Sequence, residues 1–315
     1  MGGYSDGYDV VGDVHGYSEV LERLLAKMGY RIVDGVYRHP DRQVVFVGDL
    51  IDRGPGQIKT VSIARSMVEA GSALMVMGNH EFNAIAWTVK NSAGGWCRPH
   101  TEANFGQHAA FLAAVGENSA DHRDWIEWFA QLPMWLDLGG LRVVHACWHL
   151  PSMTKMAALG DGQLTPEIVT APKGSELYEA LEVVLKGPEI EMMGYTYKDK
   201  VGICREKARL RWWDPEINNL ANAVEIPSGV TNCNGGAFGP LPEEPVDTAV
   251  LDALTYEVPI LYGHYWRQGH RPVIDSPRTA CLDWSVAGDG QLVAYRWSGE
   301  TDLTDDNLVA VDSLA

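Results

Sequence analysis

The sequence has few basic residues and no basic run. Lysine and arginine number 25 among 315 residues, against 42 aspartates and glutamates, so the formal charge is −17 with histidine neutral. A protein that holds nucleic acid chiefly through phosphate contacts needs a basic face. The balance therefore excludes a simple electrostatic binder of nucleic-acid duplexes, and any anionic ligand must be attracted locally.

Long apolar runs are also missing. No stretch approaches the roughly 20 apolar residues that span a bilayer, and residues 1–7 lack the basic and then apolar pattern of a signal peptide. We expect no membrane partner and a cytoplasmic location. The sequence leaves the oligomeric state open.

Cysteine is scarce and irregularly placed. The five cysteines are never in C-x-x-C spacing, which gives no indication of a disulfide framework or a structural zinc site; they are Cys97, Cys147, Cys204, Cys233 and Cys281. We expect all of them to be reduced thiols.

Composition and length are those of a globular protein with a large core, at 46% hydrophobic and 21% charged residues. We expect a single domain over residues 1–315. The stretch between His145 and His264 is less periodic and rich in proline and glycine. We interpret residues 150–258 as an insertion that caps the site.

Apolar runs that end in polar, glycine-rich clusters recur in the first 81 residues. Residues 8–11, 44–47 and 73–77 read as strands, and residues 18–28 and 58–68 carry apolar side chains at helical spacing. Such alternation indicates βαβ units, whose ligand sites lie beyond the carboxyl ends of the strands.

Later segments give weaker signals. Residues 87–132 read as mostly helical, and Gly139-Gly140 favours a hairpin between residues 134–138 and 141–144. Residues 280–286 and 292–297 read as closing strands. The acidic tail from Asp302 is expected to be loosely held.

Six potential metal ligands each follow an apolar run; they are Asp13, His15, Asp49, Asn79, His145 and His264. Aspartate and histidine bind borderline divalent cations, and a carboxylate can bridge two of them. Two such ions roughly 3.5–4 Å apart can bind phosphate oxygens and activate a water molecule. Hydrolysis of a phosphate ester needs this combination.

These residues lie in five ordered motifs that resemble those of the calcineurin-like metallophosphoesterases. The motifs are Gly12-Asp13-Val14-His15-Gly16, Gly48-Asp49-Leu50-Ile51-Asp52-Arg53-Gly54, Gly78-Asn79-His80-Glu81, Val144-His145-Ala146 and Gly263-His264. The resemblance is dense over residues 8–81 and sparse beyond. It implies an α/β fold in which two mixed β-sheets form a sandwich flanked by helices, a four-layer α/β/β/α arrangement.

Details of the motifs resemble the phosphoprotein phosphatase branch and its bacterial relatives, which include the symmetrical diadenosine tetraphosphate hydrolases. The second motif continues to Pro55, and the third ends in Glu81. Two residues after His264, where many family members have histidine, this chain has Trp266, as that branch does.

The resemblance also implies roles for individual residues. Asp13 and His15 would bind one divalent ion, Asp49 would bridge, and Asn79, His145 and His264 would complete the second site. Manganese is the first expectation, with iron, zinc or nickel as alternatives. His80 resembles the general acid, Asp52 its partner, and Arg53 a phosphate clamp.

The resemblance also implies a second phosphate-binding arginine from the insertion. The candidates are Arg205, Arg209, Arg211 and Arg267, and their spacing does not decide among them. We favour Arg211, because Trp212 and Trp213 beside it could form a wall over the site. The alternative is that Arg211 caps a surface and the two tryptophans belong to the core.

The expected function is a dinuclear metal-dependent phosphatase that cleaves phosphomonoesters by attack of a metal-bridging hydroxide. The substrate is a phosphorylated protein or a small-molecule phosphate. A symmetrical diadenosine tetraphosphate hydrolase is the alternative: Trp212 and Trp213 could stack adenine, whereas Glu81 resembles the ending found in protein phosphatases.

Other classes fit less well. A non-catalytic metal-binding scaffold would be expected to lack ligands or the general acid, and here every motif position is filled. A metalloprotease of the His-Glu-x-x-His type is excluded because Ala84 stands where the second histidine would be. No Gly-x-x-x-x-Gly-Lys motif is present, which argues against a P-loop nucleotide triphosphatase.

Overall fold

The structure is a computed structural model and describes residues 7–199, 202–227, 229–246, 251, 254 and 256–313. Its strands are β1 (Gly7–Val11), β2 (Arg31–Val33), β3 (Val36–Arg38), β4 (Arg42–Phe46), β5 (Ala73–Met75), β6 (Trp135–Asp137), β7 (Arg142–Val144), β8 (Glu189–Glu191), β9 (Tyr197–Lys198), β10 (Cys204–Arg205), β11 (Lys207–Leu210), β12 (Val224–Glu225), β13 (Thr231–Asn232), β14 (Ile260–Tyr262), β15 (Thr279–Cys281), β16 (Asp283–Trp284), β17 (Gln291–Trp297) and β18 (Leu308–Asp312). Its helices are α1 (Ser18–Lys27), α2 (Gln57–Glu69), α3 (Asn79–Thr88), α4 (Glu102–Val115), α5 (Ala120–Phe129), α6 (Leu150–Gly160), α7 (Pro166–Val169), α8 (Glu176–Lys186) and α9 (Leu220–Ala223).

Two mixed sheets face each other. One has the order β16-β17-β1-β4-β5, with β18 also paired to β17, and the other has the order β15-β14-β7-β6. Val10 and Val45 from the first sheet share a buried cluster with Val143 and Leu261 from the second. The alternating side chains of both sheets thus form a sandwich core, which confirms the predicted fold class.

Helices cover the outer faces of this sandwich. Leu21 and Leu24 of α1, together with Val61 of α2, are fully buried in the cluster that includes Val11 and Phe46 on the outer face of the six-stranded sheet. Apolar residues at three- and four-residue spacing place this stripe on one side of each helix, so the helices predicted over residues 18–28 and 58–68 are confirmed to within a few residues.

The strand order brings the polar clusters together. Strands β1, β4 and β5 run parallel, as do β7 and β14, and the carboxyl ends of parallel strands meet at the same edge of a sheet. The predicted hairpin between residues 134–138 and 141–144 is present as antiparallel β6 and β7. The hairpin places the carboxyl end of β7 beside that of β14, at one edge of the second sheet.

Two predictions about the periphery need correction. The segment predicted as mostly helical breaks after Thr88 and resumes at Glu102, because Gly94, Gly95 and Pro99 interrupt it. The acidic tail is partly ordered: Leu308–Asp312 forms β18, and Lys27 of α1 donates to the carbonyl of Ala310 at 2.8 Å.

The segment 150–258 holds α6–α9 and two small sheets, β10-β9-β13 and β12-β11-β8. Its interpretation as an insertion remains a prediction. Trp212 in this segment is fully buried and lies 4.8 Å from the ring of Tyr262 on β14. In the parts of the chain that the structure describes, no helix combines the length and the apolarity needed to cross a bilayer.

The expectation that all cysteines are reduced is wrong for one pair. Cys204 and Cys233 form a disulfide, with Cα atoms 5.6 Å apart. β10 and β13 flank β9 in one small sheet, so the fold joins two residues whose spacing carried no signal. Cys97, Cys147 and Cys281 are free thiols.

Candidate metal centre

One group of ligand atoms lies where β5, β7 and β14 end. The side-chain oxygen Oδ1 of Asn79 lies 3.0 Å from His145 Nε2 and 2.7 Å from His264 Nδ1. His145 Nε2 is also 3.5 Å from Oδ1 of Asp49. The structure therefore brings together the four residues that the sequence suggested for the bridged second site.

The protonation of His145 shows that this group fits a cation. Its Nδ1 donates to the carbonyl of Val47 at 2.8 Å, and burial, the largest effect, lowers the pKa of the ring. A neutral imidazole held in this tautomer turns its Nε2 lone pair toward oxygen atoms of Asn79 and Asp49. Acceptors that face one another need a positive charge between them, and a ligating histidine commonly donates its other nitrogen to a carbonyl in this way.

A second group forms around the other oxygen of Asp49. His15 donates from Nδ1 to the carbonyl of Ile51 at 3.0 Å, and its Nε2 lies 3.8 Å from Asp49 Oδ2. Burial chiefly lowers the pKa of His15 to about 3, so the ring is neutral. Within the described residues, its buried Nε2 has no hydrogen-bond partner. Such an atom, directed at a carboxylate, also fits a metal ion.

The two groups of ligand atoms line one crevice, and Asp13 lies in it as well. Its side chain faces a backbone amide. Its two oxygens accept from the backbone amide of His264 at 3.4 and 3.2 Å. The pKa of Asp13 is raised well above its ordinary value by burial and then by the carboxylates of Asp283 and Asp49. Three neighbouring buried carboxylates repel one another unless a cation compensates them, which is further support for divalent ions here.

The backbone at the site is strained. Five residues that are not glycine have positive φ, a conformation that L-residues adopt at a cost of order 1–3 kcal/mol each; they are His15 (48°), Asp49 (52°), Asp52 (71°), Arg53 (70°) and His264 (70°). Close backbone approach adds a second constraint, since a Cβ on Gly78 would lie 2.3 Å from the amide nitrogen of Asp49.

His80 and Asp52 form a buried pair next to these ligands. Nδ1 of His80 lies 2.5 Å from Oδ2 of Asp52, and Nε2 of His80 is 3.8 Å from Asp49 Oδ2. Burial lowers the pKa of His80, but the charges of Asp49 and Asp52 outweigh it and the net shift is upward. The arrangement favours a protonated ring whose Nε2 faces the crevice.

Arg53 lies at the mouth of the crevice. The guanidinium carbon is 3.9 Å from the centre of the Trp266 ring, a cation–π contact. The charge of Arg53 lowers the pKa of both Asp13 and Asp283, against the larger effect of burial. A cation in this position suits an incoming phosphate.

Arg211, the second arginine favoured from the sequence, has two acidic neighbours. Arg211 lies between Asp214 and Glu225, at 3.7 and 3.8 Å. Arg209 is the arginine that contributes to lowering the pKa of His264 and His145, after the larger effect of burial. The buried Nε atoms of Arg209 and Arg211 both lack a hydrogen-bond partner among the described residues, so that feature does not distinguish the two. The sequence offered no signal for a choice between them, because Arg209 lies in β11 and Arg211 directly follows that strand.

The two tryptophans beside Arg211 belong to the core. Trp212 and Trp213 are 0% and 2% exposed, and Trp213 packs on Tyr265 with ring centres 4.5 Å apart. A base cannot stack on buried rings, so the suggestion that they form a wall or hold adenine is wrong. The exposed aromatic residue at the site is Trp266.

Two further residues have positions that the sequence did not reveal. Glu81 accepts hydrogen bonds from the amides of Asp49, Leu50 and Gly78 at 2.8, 2.8 and 3.1 Å, which fixes the turns that carry the ligands. His108 of α4 reaches Asp52 from the side opposite His80. His108 lies in none of the five sequence motifs, and helical periodicity alone would place it in the core.

A sandwich of two mixed sheets with carboxylate, amide and imidazole ligands at its strand ends defines the metal-dependent phosphoesterases as a class. Residues 8–167 match the family model described as calcineurin-like phosphoesterase, and the chain belongs to that family.

Individual relatives share part of the chain. It is 34% identical over 139 residues to a bis(5'-nucleosyl)-tetraphosphatase PrpE, described as asymmetrical, from Oceanobacillus iheyensis, covering 44% of this chain and 54% of that protein. Over 74 residues it is 50% identical to the protein of the same name from a Geobacillus species, covering 23% of this chain and 30% of the relative. The chain thus spans about half, or less, of the length of these relatives.

A solved structure with the same fold is a protein serine/threonine phosphatase from Saccharomyces cerevisiae. The TM-score is 0.50 at 16% identity, with 97% of this chain and 78% of that chain covered. At this identity the likeness supports the fold alone.

Proposed function

We propose that this protein is a dinuclear metal-dependent hydrolase of phosphate esters. The observation that carries the proposal is the position of Asp49, whose two oxygens face His15 on one side and His145 on the other, beside the buried pair of His80 and Asp52. A non-catalytic scaffold would not need an acid held in this way.

The residues already described would hold the two metal ions. Asp13 and His15 would hold one ion, Asn79, His145 and His264 the other, and Asp49 both; manganese is our first choice, with iron, zinc or nickel as alternatives. Bound divalent ions would polarise the phosphoryl oxygens and lower the pKa of water.

Other side chains of the protein would bind the phosphoryl group and protonate the leaving group. Arg53 and Arg209 would bind phosphoryl oxygens from opposite sides of the crevice. His80 would give its Nε2 proton to the leaving oxygen as the bond to phosphorus breaks, while Asp52 keeps the ring oriented and cationic.

For the substrate we propose a phosphomonoester, on a protein or on a small molecule. A dinucleoside tetraphosphate is the second candidate, supported by the names of the relatives and by Trp266, which is 37% exposed beside Arg53. If that candidate is right, those names favour asymmetric cleavage over the symmetrical cleavage considered first.

The test is a rate panel on metal-reconstituted protein, with p-nitrophenyl phosphate, a phosphopeptide, bis-p-nitrophenyl phosphate and diadenosine tetraphosphate. Products of the last distinguish ATP plus AMP from two ADP. Asp49→Ala should lose at least about a thousandfold in kcat/KM, with Asp302→Ala as an exposed control. Full activity of Asp49→Ala would contradict the proposal, and bound metal without turnover would favour the scaffold.

A further inference from the structure

Asp52 has two histidine neighbours. Its Oδ2 lies 2.5 Å from His80 Nδ1, and its Oδ1 lies 2.9 Å from Nδ1 of His108 on α4. The backbone amide of Asp52 donates to Gln57 at 2.7 Å. Both carboxylate oxygens are therefore engaged, and the three side chains form a buried line from the crevice into the helical layer.

Packing alone does not account for a histidine at position 108. The ring is 1% exposed and lies between Trp87 and Phe111, at 6.0 and 5.3 Å between ring centres. Its Nε2 is buried and, within the described residues, has no hydrogen-bond partner. A buried nitrogen without a partner costs free energy that an apolar side chain would avoid. The contact with Asp52 is what an apolar residue could not provide.

His122 provides a comparison within the same layer. It is also 1% exposed, packs on Phe111 at 6.1 Å, and has a buried Nε2 without a partner among the described residues. Its Nδ1, however, accepts from the amide of Asn118 next to α5. Burial and packing are alike in the two histidines, and only His108 reaches the site.

We propose that His108 is a positioning residue for the leaving-group acid: its hydrogen bond locks the carboxylate of Asp52 so that Oδ2 stays aimed at His80. The inference rests on the proposed function and goes beyond it. A carboxylate held by one partner can rotate about its Cβ–Cγ bond, and a second donor on the other oxygen removes that freedom. Hydrogen bonds from both histidines lower the pKa of Asp52 against the larger opposing effect of burial, so the carboxylate stays ionised.

No proton needs to pass along this line. His80 donates from Nε2 to the leaving oxygen as the bond between phosphorus and that oxygen breaks. The protons on Nδ1 of His80 and His108 remain in their hydrogen bonds to Asp52. The acid then regains its proton from water.

His108→Leu and His108→Asn separate positioning from packing. The amide nitrogen of asparagine can occupy the place of Nδ1 and donate to Asp52, whereas leucine cannot donate. We expect His108→Leu to lower kcat at least about tenfold on phenyl phosphate, a poor leaving group, and at most about threefold on p-nitrophenyl phosphate, with KM nearly unchanged. His108→Asn should recover most of the loss, and His122→Leu, the matched control, should leave both rates near wild type.

A second measurement does not depend on turnover. In isotope-labelled, metal-free protein, the proton on Nδ1 of His80 should give a slowly exchanging NMR signal in wild type, His122→Leu and His108→Asn, and exchange much faster in His108→Leu. Equal losses on both substrates, no rescue by asparagine, or an unchanged His80 signal in His108→Leu would overturn the inference. A wild-type protein with that signal but no hydrolysis of any phosphate ester would instead contradict the proposed function.

Discussion

At the scale of single residues, the site depends on which ring nitrogen of each histidine is occupied by the backbone. The carbonyls of Ile51 and Val47 accept from Nδ1 of His15 and His145, which leaves Nε2 of each as the proposed ligand atom. In His264 it is Nδ1 that faces Asn79. In the proposed metal site, hydrogen bonds to the main chain would thus orient the ligands before a metal binds.

The assignment of the second arginine is testable with a neighbouring pair. Arg209→Ala should raise KM for p-nitrophenyl phosphate and the inhibition constant of inorganic phosphate by about 10- to 100-fold, because a charge-assisted contact is lost. Arg211→Ala should change both by less than about twofold, since its contacts with Asp214 and Glu225 are long and only partly buried. A larger effect for Arg211→Ala would restore the choice made from sequence.

The buried carboxylates lead to a prediction of how the stability of the metal-free protein depends on pH. Burial chiefly raises the pKa of Asp283 to about 6, above its value near 3.9 in an unfolded chain. A raised pKa means that the folded state binds the proton more tightly, so stability falls as pH rises through about 6. Chemical denaturation in chelator should show a loss on the order of 2 kcal/mol between about pH 4 and 7, with little further change above that.

Asp283→Asn should flatten this pH profile, and a saturating divalent ion should raise the melting temperature more at high pH than at low pH. A metal-free protein that becomes more stable over this range would show that these carboxylates are not destabilising.

At the scale of elements, one segment links the two sheets. Residues 280–286, predicted as a single closing strand, are divided between β15, which pairs with β14, and β16, which pairs with β17. The amide of Leu282, between them, donates to the carbonyl of Tyr262 at 2.7 Å. The strand that passes between the sheets carries Asp283 to the crevice, next to Asp13.

The C-terminal strand should be a structural element. Val309 packs on the core cluster that includes α1 and pairs with Ala294 of β17. Val309→Asp should reduce the free energy of unfolding by about 1–3 kcal/mol, because a charge would be placed at a half-buried position. Thr301→Asp introduces the same residue at an exposed position and should change stability by less than about 0.5 kcal/mol. Equal effects would support the loosely held tail expected from sequence.

At the scale of the whole molecule, the formal charge is −17, and the positive charge expected to attract a substrate is confined to the crevice. Arg53 and Arg209 lie near the ligand groups, so an anionic substrate would be attracted at the crevice and repelled elsewhere. This distribution favours substrates that present one accessible phosphate.

Salt should therefore weaken catalysis little. Raising sodium chloride from about 0.02 to 0.3 M screens both the distant repulsion and the local attraction, and we expect kcat/KM for p-nitrophenyl phosphate to change by less than about threefold or to rise. Arg53→Ala should show a clearer rise, since less local attraction remains to be screened. A tenfold fall in the wild-type protein would indicate an extended basic surface.

The βαβ order and the set of candidate ligands could be predicted from local patterns, namely apolar runs that end in glycine, aspartate and histidine, because their order along the chain can be read without coordinates. The sandwich of two sheets was implied by the family resemblance of the five motifs. Those patterns did not predict three other features. They are the break between Thr88 and Glu102, the hydrogen bonds of Glu81 and the order in the tail.

Which distant groups meet could be learned only from the folded chain. The charge of Arg209 near His264, the disulfide of Cys204 and Cys233, and the approach of His108 to Asp52 depend on how strands and helices from separate parts of the chain are packed. Residues two apart in sequence, or two histidines equally buried on neighbouring helices, look alike in a linear pattern. Their surroundings differ, because a hydrogen bond or a charge acts over a few ångströms in space and that distance depends on the complete fold.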